Sequence, residues 1–103
     1  MDLTDAVYEL TRLLPEQERF NLASQMQRAA VSIPSNIAEG YGRGNDGDYR
    51  RHVAIARGSL AELETQIEIT VRRRYVKREQ IIEIWQSCQI TGKMLTQLLK
   101  RLS

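Results

Sequence analysis

The stretch LASQMQRAAVSIPSNIAEGY, residues 22–41, places apolar side chains at Leu22, Met26, Ala30, Ile33, Ile37 and Tyr41. The steps of 4, 4, 3, 4 and 4 residues trace one face of an α-helix, not the alternation of a strand. Pro34 lies inside this stripe. A proline within a helix removes one backbone hydrogen bond and costs about 3 kcal/mol unless its neighbourhood compensates. Asn36 and Glu39 have the spacing of a capping box, so the chain either bends at Pro34 or stops and restarts on Ser35 or Asn36. The stripe keeps its phase across the proline, which favours a kinked but continuous helix.

The segments on either side carry the same period. Upstream, Leu3, Val7, Leu10 and Leu14 define a first helix over residues 2–14, with Asp2 and Asp5 in the acidic position its N-terminus prefers. Pro15 ends that helix and suits the start of the second, read over residues 16–42. Downstream, Gly40–Gly47 is the only glycine-rich stretch and forms the main turn, with Asp46 or Asp48 expected to cap the next helix. Tyr49, Val53, Ala56, Leu60, Leu63, Ile67 and Thr70 then form a seam for a third helix over residues 47–73. Ile81, Trp85, Cys88, Gly92, Leu95, Leu99 and Leu102 form a fourth over residues 78–102. Four helices with short connections define an all-α, antiparallel up-down four-helix bundle, and all 103 residues belong to this single domain.

Composition narrows the function classes. With 42% hydrophobic and 27% charged residues, 2 prolines and 6 glycines, the chain has the makeup of a packed globular domain. No apolar run approaches the roughly 18 residues a membrane span requires, so no membrane partner is expected. Cys88 stands alone, which excludes an internal disulfide, and His52 is the single histidine, which excludes most zinc and di-iron sites. The opening Met1-Asp2-Leu3-Thr4-Asp5 shows no secretory pattern, giving a cytoplasmic reading. Charge is unevenly placed: residues 1–46 carry a net −3 and residues 47–103 a net +5.

Several chemical patterns fail on inspection. Gly42-x-Gly44-x-x-Gly47 has the bare dinucleotide spacing, but a helix precedes it instead of a strand, so it reads as a turn. Thr91-Gly92-Lys93 lacks the earlier glycine of a phosphate loop, and Asp46 and Asp48 lack the other calcium ligands. Bundle di-iron sites need Glu-x-x-His, and Tyr49 stands three residues before His52. No metal and no cofactor are expected. His52 reads as a helix-face residue and Cys88 as a small core residue. Glu39 and Glu62 are the candidate pair for a ligand-binding or hydrolase-like bundle, the alternative to a non-enzymatic one. Arg72, Arg73, Arg74, Lys77 and Arg78 put five cations into seven residues at one bundle end, with Tyr75 among them as a platform for an unpaired base. Such a cluster neutralises phosphates without reading bases, which makes RNA or DNA a candidate partner.

Three strings are familiar: AAVSIPSNIAEGYGR at residues 29–43, IARGSLAELETQ at 55–66, and Lys93-Met94-Leu95 with Leu98 three residues on. By them the chain resembles the bacterial four-helix bundle proteins of the 23S rRNA intervening-sequence protein family. The resemblance implies a ring-forming homo-oligomer, typically a homopentamer, without established activity or catalytic residues. Some members are encoded inside insertions in ribosomal RNA genes. A related branch, the accessory variability determinant of diversity-generating retroelements, partners a reverse transcriptase and binds nucleic acid, so a nucleic-acid enzyme is a further candidate partner. The resemblance also implies a first helix starting a few turns earlier than this one. A helix of about 13 residues spans about 20 Å and cannot cover a hairpin of about 40 Å. Ala23, Ala29, Ala54, Gly58 and Ala61 put small residues off the seams, where a second chain can approach. The motif itself reads as structural: Pro34, Asn36, Glu39, Arg57, Ser59, Glu62 and Gln66 are expected to form a polar network, because buried polar groups are costly unless paired.

Overall fold

A computed structural model describes residues 2–103. Among the described residues there are four α-helices, α1 (Leu3–Thr11), α2 (Leu22–Gly42), α3 (Asp46–Arg72) and α4 (Ile82–Arg101), with 3₁₀ turns at Glu16–Glu18 and Arg78–Ile81. Cross-helix pairs step in opposite senses. Ser32 meets Ser59 while Asn36 meets His52, and Glu64 meets Gln89 while Arg50 meets Ser103. Helix α3 therefore runs antiparallel to both α2 and α4. Among the described residues no helix is long and apolar enough to cross a membrane.

Local chemistry explains where the helices start. The Asp2 side chain accepts from the Asp5 amide at 3.0 Å and caps α1. That helix ends at Thr11, short of the expected Leu14, because the amides of Arg12, Leu13 and Leu14 turn back to carbonyls three residues earlier. The second helix begins at Leu22 and not near Glu16. Asn21 has non-helical backbone (φ −126°, ψ −101°), and the Glu18 carboxylate takes the Leu22 amide at 3.4 Å. For α3 the cap is Asn45, whose side chain accepts from the Asp48 amide at 2.8 Å; Asp46 and Asp48 are first-turn acids and not caps.

The helix α2 runs unbroken through Pro34, so the restart on Ser35 or Asn36 does not occur. Met26, Ala30 and Ile33 are buried and Ile37 packs against them, but Tyr41 leaves the stripe and is 74% exposed, its ring set edge-on to Tyr49. Val53, Ala56, Leu60, Leu63, Ile67 and Thr70 are buried as the α3 seam. From the second 3₁₀ turn into α4 the deep positions are Ile81, then Ile84, Cys88, Leu95 and Leu99, with Trp85 half-buried. The stripe takes a three-residue step from Ile81 to Ile84 and a four-residue step to Cys88, both ordinary on an α-helix face, so it passes through Ile84 and not Trp85.

Helix α1, with 9 residues, is about 14 Å long, against about 40 Å for the 27 residues of α3. It is tied to α2 by Gln27, whose amide donates to the Thr11 hydroxyl at 3.0 Å. Exposed apolar residues remain on the surface it does not reach, among them Ile90 (70%) and Met94 (52%), one turn apart on α4.

Candidate functional site

The signature strings of α2 and α3 meet in a hydrogen-bonded chain. The Ser32 and Ser59 hydroxyls lie 2.8 Å apart. The Asn36 amide nitrogen donates to the Ser32 carbonyl at 2.9 Å and to its hydroxyl at 3.0 Å. A carbonyl accepts only, so this nitrogen is fixed, and the Asn36 oxygen must face His52 Nδ1 at 3.0 Å. His52 Nδ1 therefore carries the proton and donates. His52 Nε2 is left as the acceptor for Arg51 Nη2 at 3.2 Å, with Glu39 Oε2 at 3.6 Å. Arg43 donates to Glu39 at 2.7 Å, and that bond holds the Glu39 carboxyl below the usual carboxylate range.

His52 is 5% exposed, which corrects its reading as a helix-face residue. Its place depends on Gly40. A Cβ on Gly40 would stand 2.6 Å from His52 Cβ, so only glycine lets α2 and α3 close here. The sequence carried this signal in the four-residue step from Asn36 to Gly40 on one helix face.

The network is smaller than expected. Asn36, Glu39 and Ser59 belong to it; Pro34 is exposed within α2 and adds no bond. Arg57 lies on the α3–α4 side, and Glu62 is exposed with no side-chain bond among the described residues. Gln66 is buried with its oxygen unpartnered. Glu39 and Glu62 do not converge. Glu39 sits at the level of His52, and Glu62 is ten residues further along α3, about 15 Å away. Among the described residues no three His, Cys, Asp or Glu side chains gather to hold a metal ion. Burial, together with the Glu64 charge, pushes the Cys88 thiol up to about 12, so it stays protonated.

At the other end α3 terminates in a Schellman turn. The Tyr75 amide reaches the Thr70 carbonyl at 2.9 Å, the Arg74 amide reaches Val71 at 2.9 Å, and Arg74 takes the left-handed conformation (φ 61°). This turn divides the basic cluster. Arg78 forms a two-pronged pair with Glu68 at 3.0 and 3.3 Å, which lowers the Glu68 carboxyl and raises the guanidinium. The Tyr75 hydroxyl donates to Glu18 at 2.7 Å, and that bond is the main reason the Glu18 carboxyl is lowered. The Arg73 guanidinium lies 5.8 Å from the Tyr75 ring centre. Tyr75 is half-buried against the core, so the open stacking platform expected from sequence is absent. Arg72, Arg74 and Lys77 are exposed and form no ion pair among the described residues.

A polar-pinned helical hairpin, two flanking helices and a basic end define the class: an all-α four-helix bundle. The family model of the 23S rRNA-intervening sequence protein matches residues 1–97, and the chain belongs to that family. Among solved structures it is similar to a crystal structure of a protein with unknown function from the S23 ribosomal protein family of Bacteroides thetaiotaomicron VPI-5482. The two share 26% identity over 95% of this chain and 98% of that one, with a TM-score of 0.82. No curated protein matches the sequence.

Proposed function

We propose that this chain is a non-enzymatic bundle that assembles into a ring, five copies in the family habit, and binds RNA or DNA by its phosphate backbone in the cytoplasm, alone or with a nucleic-acid enzyme. The observation that carries the reading is the division of the basic end. Arg73, Tyr75 and Arg78 are committed to the fold, while Arg72, Arg74 and Lys77 are exposed and form no ion pair among the described residues. Three cations bind phosphate weakly on one chain, and a ring repeats them around its rim so that several subunits engage at once. The short α1 and the exposed Ile90 and Met94 supply apolar surface for association.

Fluorescence anisotropy with RNA and DNA, paired with light scattering, tests both halves. Wild type is expected to bind in a salt-dependent, sequence-tolerant way, and Arg72→Ala with Arg74→Ala and Lys77→Ala to weaken binding about tenfold at an unchanged assembly mass. A solution mass near 11.9 kDa would refute the ring. Equal binding by wild type and variant would refute the basic end.

A further inference from the structure

Between α3 and α4 runs a groove of about 490 Å³. Its cations are Arg57 on α3 and Lys93 and Lys100 on α4. None of the three makes an ion pair or a side-chain hydrogen bond among the described residues. Arg50 extends the row from the α3 side, held by Ser103 at 3.3 Å. The register is set by two contacts, Arg50 to Ser103 and Glu64 to Gln89. Between them the order along the groove is Arg50, Lys100, Arg57, Lys93, alternating between the two helices. At 1.5 Å per residue the alternation advances about 5 Å at a time. The one carboxylate in the lining, Glu64, closes the far end and accepts from Gln89 at 3.0 Å.

The floor is small and apolar. At Gly92 a Cβ would stand 3.4 Å from Leu60 Cδ2, an ordinary van der Waals contact, so the Leu60 side chain lies against Gly92 and forms part of the floor. Ala61 beside it adds no large side chain to the groove. Among the described residues no aromatic ring lines the groove to stack a base. The row of alternating cations suits a flexible chain carrying one negative charge per repeat.

We infer that the α3–α4 groove is a second nucleic-acid site that holds an extended single strand, phosphates inward on Arg50, Lys100, Arg57 and Lys93, bases outward and unread. This deepens the reading of the chain as a nucleic-acid binder and rests on it, but it names a different surface from the basic end. Arg57, expected in the α2–α3 polar network, acts here, as does Lys93 of the Thr91-Gly92-Lys93 string.

The experiment compares wild type, a groove variant (Arg57→Ala, Lys93→Ala, Lys100→Ala) and the basic-end variant on oligouridylate and oligothymidylate of about 20 nucleotides, by anisotropy at about 50 mM salt and above. The groove variant is expected to bind single strands about tenfold more weakly, and its log–log salt slope to become shallower by about 2, at about 0.7 per lost contact. Light scattering must show an unchanged assembly mass. If the triple variant does not fold, Lys93→Gln with Lys100→Gln keeps side-chain length and helix propensity, and a slope shallower by about 1.4 is expected. Loss in the basic-end variant alone removes the groove and keeps the basic end. Loss in the groove variant alone does the reverse. Absence of wild-type binding removes both. A changed mass in the groove variant would mark the groove as a contact between subunits and overturn the inference. Equal displacement of the strand by polyglutamate would show a general acidic-polymer site and overturn the assignment to phosphate.

Discussion

The two links that join the long helices reverse the chain through one left-handed residue each, Gly44 at φ 81° after α2 and Arg74 at φ 61° after α3. Beyond that they differ. At the glycine end the polar groups turn inward: Asn36, His52 and Ser59 are bonded across the hairpin, and Glu39 is held by Arg43. At the arginine end the polar groups divide. Arg73, Tyr75 and Arg78 bind the fold, and Arg72, Arg74 and Lys77 are exposed. The first end is organised around close approach, which demands a glycine where the helices touch. The second is organised around charge, and tolerates a side chain in a backbone region that costs an L-residue roughly 1–2 kcal/mol. Chemistry separates along the same line, with polar groups bonded across the helices at one end and exposed charge at the other.

Substitution at the contact point should break the glycine end most severely. In Gly40→Val the new Cβ meets His52 Cβ at 2.6 Å, an atom fixed to the backbone, so α2 and α3 must part. A destabilisation of about 3 kcal/mol is expected by urea unfolding. A change under about 1 kcal/mol would show that the hairpin yields.

The arginine end should respond in the opposite sense. Arg74→Gly relieves the left-handed strain and is expected to stabilise by about 1 kcal/mol in the same urea assay. A neutral or destabilising result would mean that the Arg74 side chain contributes contacts that offset its backbone.

The smallest effect belongs to Tyr75→Phe, and its size depends on pH. The Tyr75 hydroxyl lowers the Glu18 carboxyl, so the stabilisation is present above the unfolded carboxylate value of about 4.3 and fades as pH falls through the lowered folded value. The variant should unfold at a lower urea concentration than wild type at about pH 7, and the gap should close toward about pH 3. A gap of equal size at both would show that the ring, not the bond, had been lost.

The long helices were legible because periodicity is local. The spacing from Leu22 to Ile37 carried α2 through Pro34, and that from Val53 to Thr70 gave the α3 seam residue by residue. The ends were not, because their determinants are side-chain bonds that spacing does not display. The Glu18 carboxylate on the Leu22 amide moves the start of α2 by six residues from the expected Glu16. His52 was misplaced because it stands next to Val53 and outside the seam, and its burial depends on Gly40 of the facing helix. Tyr75 looked free in a run of cations because its partner Glu18 lies 57 residues away. The basic end was visible as composition. The groove cations were not, since Arg57 and Lys93 come together only through the α3–α4 register.

The fixed amide of Asn36 has a consequence for watching this protein at work. Its nitrogen is held by the Ser32 carbonyl, so the imidazole facing it is restricted to one tautomer, and His52 is the only histidine in the chain. A single pair of ring-nitrogen resonances thus reports, without isotope editing between sites, whether the two long helices are zipped together at their closest point. Parting of α2 and α3 at Asn36 removes the bond that selects that tautomer.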